Sequence, residues 1–203
     1  LKNQTENAVR SVTDLNKAMT LVDMTMSNMS GSSLYSLKQQ SLSMAKDLSA
    51  ATKTVTDAVT IYANENESVS SMLNKAQPTV LLSAASGMSS SSSADAIQGI
   101  LNQFNLSEDQ AMHVADTVEK LSSEIALDFS KGCDTISQSI ATSGSVVNEA
   151  GMSFEKYAAL VSTTAEKTRV SGSQIGNAFK TIFSRISRSK DGLTTDAEMS
   201  DAE

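Results

Sequence analysis

The sequence contains no tryptophan, one cysteine, one histidine and one proline, and aromatic residues make up 4% of its 203 positions. A single cysteine, Cys133, excludes an intramolecular disulfide. It follows Lys131-Gly132, where a nearby helix N-terminus could activate a thiolate, but a structural role fits a lone thiol better. A single histidine, His113, excludes histidine-based metal clusters and reads as a partly exposed surface residue rather than a base. Nothing in the spacing of Glu119, Glu124, Asp128 and Asp134 requires them to pair. The run Gly172-Ser-Gln-Ile-Gly176 lacks the Lys-Ser/Thr ending of a phosphate loop and follows no strand. No catalytic constellation, metal site or cofactor is therefore expected. The longest apolar stretch, Thr79 to Met88, is about half of the ~20 residues that span a bilayer. No basic segment followed by an apolar one opens the chain as a secretory leader would.

Charge narrows the field further. The net charge is -7 and the sequence pI about 4.8, which argues against specific nucleic-acid binding. Positive charge gathers late, at Lys167, Arg169, Lys180, Arg185, Arg188 and Lys190, and reads as a solvated helix face. The chain opens at Leu1 instead of methionine and closes in an acidic stretch, which reads as a piece of a longer protein.

What the sequence does have is helix. With one proline, little interrupts a helical pattern, and no β-type alternation of useful length appears. The expected fold is all-α: long coiled-coil-prone helices followed by a compact bundle of shorter capped helices. Three parts are expected, an elongated helical segment over 1–75, a helical core region over 76–190 and an acidic flexible end or linker over 191–203.

In the first part Ala8, Val12, Leu15, Met19, Val22, Met26 and Met29 alternate steps of four and three, the a/d pattern of a coiled coil, which over about three heptads one face of an ordinary bundle helix fits equally well. After the break at Ser30-Gly31-Ser32-Ser33 a second seam runs through Leu34, Leu37, Ser41, Met44, Leu48, Ala51, Val55, Ala58 and Tyr62, resuming at Val69, Met72 and Ala76. A continuous helix from Leu34 to Leu73 would be about 60 Å long, with Asn64-Glu65-Asn66-Glu67 as its weakest point. So narrow a seam on so long a helix implies partner helices, here further copies of the chain.

In the second part Pro78 suits a helix's first turn and Gly87 its end. Ser89 to Ser93 reads as a flexible joint, with Ser92 and Asp95 capping the next helix. Ser107-Glu108-Asp109-Gln110 is a capping box, Lys131-Gly132 marks a turn, and the helix through Gly144 has side chains small enough for a neighbour to come close. Gly151 closes that helix. Three of the five phenylalanines lie between Gly151 and Ile186. There Phe154, Tyr157, Ala158, Val161 and Ala165 draw one helical stripe, and Ile175, Ala178, Phe179, Ile182, Phe183 and Ile186 another. Two such faces joined by Val170-Ser171-Gly172 predict a helical hairpin that forms the core. The second helix, with basic residues opposite, also has the character of an interfacial helix, but its cap and stripe fit packed core.

SFEKYAALVSTTAEKTRVSG followed by IGNAFKTIFSRI, with AQPTVLLSAASGM and ILNQFNLSEDQAMHVADTVEKLS before them in the same order, resembles the core region of phage tail tape measure proteins. The resemblance covers residues 76 to 188; the first 75 share only general character, and the serine run at 89–93 is longer than the family's usual turn. It implies a structural, non-enzymatic protein of the virion, made in the host cytoplasm and lodged in the tail tube lumen or at the tail tip. Such a protein is a ruler and scaffold for tail assembly that leaves ahead of the DNA. Implied partners are copies of itself as a trimer or hexamer, the tail tube protein, distal tail or baseplate proteins and, on ejection, the host membrane. Two rivals are a helical membrane-active secretion or pore-forming translocator, and a signalling coiled coil. The first needs a long apolar segment, the second an unbroken heptad through 76–188.

Overall fold

The computed structural model describes residues 2–26, 29–64, 68–125 and 128–190. Among them the chain forms nine α-helices, one 3-10 turn and no strand. The expected acidic end at 191–203 and part of the expected break, Glu65 to Glu67, lie outside the described residues, as does the side chain of Ala8.

The helices group into two compact units, Leu1–Gln98 with Ser107–Ala115, and Gly99–Leu106 with Asp116–Glu203. In the first unit α1 (Lys2–Thr25), α2 (Gly31–Asp47), α3 (Thr52–Ala63) and α4 (Val69–Ser86) surround a common core. The short α3 is central and packs on the other three. Its Val55, Ala58, Val59 and Tyr62 are wholly buried. The expected continuous helix from Leu34 to Leu73 is thus interrupted twice, once near Asn64 and once at Leu48–Ala51, where the heptad pattern gave no sign of a turn. Residues 2–63 are three helices folded on one another instead of an elongated rod.

Capping explains most of the boundaries. Ser30 accepts from the Ser33 amide at 3.1 Å and opens α2; Ser68 accepts from Ser71 at 3.2 Å and opens α4. Because Ser68 starts α4, Pro78 falls inside the helix and not in its first turn. An interior proline forfeits a backbone bond, a cost of about 3 kcal/mol, offset here by the burial of Met72, Ala76 and Val80 on the same helix. Gly87 ends α4 in the left-handed conformation, φ +73°.

The serine run is not a joint. Ser90–Ser93 form the first turn of α5 (Ser90–Phe104), and Ser89, not Ser92, caps it by accepting from the Ser92 amide at 3.0 Å. The Ser107–Gln110 capping box is present and opens a 3-10 turn, Glu108–Gln110, that runs into α6 (Ala111–Glu124).

In the second unit α7 (Phe129–Glu149) is the axis, with α8 (Phe154–Thr168) and α9 (Gly172–Lys190) against it. Asp128 caps α7, so Gly132 sits within the helix and marks no turn. Its missing side chain lets Ser122 come close: an added Cβ would stand 3.0 Å from the Ser122 Cβ. The Ser171–Gln174 box opens α9, with the Ser171 amide donating to Gln174 Oε1 at 3.2 Å. The expected α8–α9 hairpin exists in sequence order, but α9 packs chiefly on α7. Gly172 and Gly176 rest directly on the α7 backbone at Thr135 and Ser139, so the closest packing is between those two helices.

Candidate functional site

Two groups of residues were expected to carry function, the seam of the first part and the aromatic core of the second. The structure places them in separate units. In the seam, Leu15, Met19, Val22, Leu37, Val55 and Tyr62 are buried inside one chain, while Met26, Leu34, Met44 and Leu48 pack partly buried on the same core. Val12 alone of the set faces solvent, 56% exposed. In this conformation the chain's own helices occupy the surface that a seam between copies would use.

The core beneath the seam is more polar than its periodicity suggests. Tyr62 and Thr79 hydroxyls meet at 2.7 Å, and Thr79 also donates to the Lys75 carbonyl at 2.8 Å. Lys75 is 0% exposed. Its Nζ donates to Gln98 Oε1 at 2.9 Å and stands 4.7 Å above the centre of the Tyr62 ring. Sequence reading missed Lys75, although it directly precedes the seam residue Ala76, and a long amine beside a seam is usually solvated.

In the second unit Tyr157 is the hub. Phe179 meets it edge-on at 5.6 Å between ring centres, Phe183 at 6.3 Å, and Phe104 lies at 6.3 Å, itself edge-on to Phe154 at 5.8 Å. The Tyr157 hydroxyl reaches Ser143 at 2.5 Å and Ser139 at 3.4 Å on α7, and burial pushes its ionisation upward against those hydrogen bonds. Phe154, Tyr157, Val161, Ile175 and Phe183 are buried and Phe179 half-buried. Ile182 and Ile186 are not core: they are 48% and 40% exposed. The apolar stripe of α9 is wider than the face that α7 and α8 cover.

Among the described residues no group of His, Cys, Asp and Glu is arranged to hold a metal. Cys133 is fully buried, and burial pushes its thiol up, away from the activated thiolate that its sequence position allowed. His113 is exposed on α6.

Glu119 is different. Its Oε1 is buried without a hydrogen-bond partner. Burial first, and the nearby Asp116 charge second, push the Glu119 carboxyl above the usual range. A carboxyl raised in the folded state favours folding while protonated. The penalty is absent below the unfolded pKa, grows as pH rises, and is complete above the folded one. Glu119→Gln is therefore expected to stabilise the chain at pH 7 by less than about 1 kcal/mol, since solvent screens a part-exposed group. The gain should vanish near pH 3, below the usual glutamate range. Denaturant midpoints at the two pH values check it.

Comparison with known proteins decides the family. The sequence model of the phage-related minor tail protein family matches residues 38–202. The chain belongs to that family. It is a phage tail protein, and the match begins within α2, well before residue 76 where the sequence resemblance starts. A relative described as a probable tape measure protein, from Escherichia phage P2, is 23% identical over 153 residues, 75% of this chain. The aligned part is 18% of that relative. No solved structure matches the chain significantly. The match takes in α2 from residue 38 onward and all of α3 to α9.

Proposed function

We propose that this chain acts as tape measure protein in the tail: a helical polypeptide in the tube lumen that sets tail length, scaffolds tube assembly and leaves ahead of the DNA. The alignment with the P2 tape measure relative over three quarters of the chain supports this reading above all. Physics supports it too, because an α-helix converts residue number into length at a fixed rise of about 1.5 Å. The proposed partners are further copies of the chain as a trimer or hexamer, the tail tube protein, and distal tail or baseplate proteins. No described helix is long and apolar enough to cross a membrane.

Tail length tests the proposal. In-frame removal of residues 2–63 from the encoding gene is expected to leave tails that assemble but are about 90 Å shorter by electron microscopy. Tails of unchanged length would reject the ruler role for this region. A shortening of that size also requires α1, α2 and α3 to run end to end in the tail and not side by side as in the isolated chain.

A further inference from the structure

The turn between α2 and α3 interrupts a pattern that does not stop for it. From Leu34 to Tyr62 the seam positions, apolar except for Ser41, keep alternating steps of three and four, with Met44, Leu48, Ala51 and Val55 carrying the heptad across the turn in register. Other left-handed breaks in this chain use residues suited to them: Gly87 at φ +73°, Asn105 at +52° and Gly151 at +92°. The α8–α9 turn uses Arg169, but the Ser171–Gln174 box restarts the helix directly after it.

The α2–α3 turn has neither device. Ser49 takes φ +50° at the position where glycine is usual, and the turn closes through Ser49 N–H to the Lys46 carbonyl at 3.1 Å and Ala50 N–H to the Ala45 carbonyl at 2.9 Å. Ala51 then stands at the start of α3 with no side-chain cap. Locally, Leu48, Ser49, Ala50 and Ala51 are better suited to continuing a helix than to ending one. What holds the turn is the burial of Leu37, Val55 and Tyr62 against the chain's own helices.

We propose that α2 and α3 straighten through Ser49 into one helix over residues 31–63, about 50 Å long, whose seam is then covered by the same seam of further copies of this chain. A heptad seam is complementary to its own kind, so the exchange replaces intramolecular apolar contacts with equivalent intermolecular ones. The left-handed turn and the local concentration of copies set the balance. This rests on the proposed association of copies in the tail and supplies the extended form that a ruler needs.

Opposite substitutions at one exposed position test it. Ser49→Gly relieves the left-handed turn. Ser49→Glu gives that turn no relief, adds no apolar surface, is the better helix former and in a straight helix stands four residues before Lys53. Each is made in the 203-residue chain carrying spin labels at Tyr35→Cys and Asn64→Cys, both exposed positions. The expected result is that Ser49→Gly raises the concentration for half-association about tenfold and Ser49→Glu lowers it about two- to threefold. In the associated form the labels should lie about 43 Å apart, against a shorter distance in the monomer. Equal association of the two variants, associated chains that keep the short distance, or no association by either would overturn the straightening. Tails that shorten in proportion when a segment after residue 63 is deleted would still uphold the ruler role in that event, so the two readings fail separately.

Discussion

Gly176→Leu is expected to cost the chain about 3 kcal/mol, enough to separate α9 from α7. A Cβ built on Gly176 lies 2.7 Å from the Thr142 Cβ and 2.8 Å from the Ser139 carbonyl oxygen, and a backbone oxygen has no rotamer by which to withdraw. Gly172 meets the Thr135 carbonyl in the same way, so two consecutive turns of α9 lie on α7 backbone. Relief requires moving a whole helix, and Phe179 and Phe183 would leave Tyr157 with it. Gly99 is the control. It lies inside α5 with nothing within 4 Å of a built Cβ, and Gly99→Ala should be neutral or stabilise by up to about 1 kcal/mol through helix propensity alone. Denaturant unfolding of the two variants separates close approach from propensity. Equal effects would mean that the α7–α9 contact is looser than described.

The second large effect lies in the first unit. Lys75→Ala is expected to lose about 3 kcal/mol, because it opens a cavity beside Tyr62 and removes the hydrogen bond to Gln98 Oε1. Lys75→Met keeps the volume and removes the buried charge, and should fall within about 1 kcal/mol of the native chain or above it. Unfolding midpoints decide the matter. If methionine proves as damaging as alanine, the contacts to Gln98 and Tyr62 outweigh the desolvation of the ammonium. If methionine stabilises, the first unit carries a charge that its fold alone does not require.

The helices were legible because their causes are local. The Ser107–Gln110 and Ser171–Gln174 boxes and the glycines at 87 and 151 stand where the structure needs them. Pro78 and Gly132 misled, since each reads as a boundary residue until Ser68 and Asp128 are recognised as the true caps. The serine run misled for the opposite reason: its composition suggests a joint, yet Ser89 caps it and Ser93 is buried.

Partner choice was harder, because periodicity says that a face is covered and not by what. The seam through Leu15, Leu37, Val55 and Tyr62 reads alike whether a second copy or the same chain covers it. The stripe on α9 predicted Ile182 and Ile186 as core with Phe179, but where coverage ends depends on the placement of α7 and α8, which spacing within α9 does not encode. Lys75 and Glu119 stayed hidden because their burial comes from other elements.

Tail length against residue number is the most direct measurement. Virions would carry the residue 2–63 deletion and, separately, a duplication of the same segment, and be measured by electron microscopy. The ruler role predicts tails about 90 Å shorter and about 90 Å longer than normal, a slope of about 1.5 Å per residue in both directions. Normal-length tails in both virions would contradict it, and would leave the chain as a folded helical component of the tail with no part in setting its length.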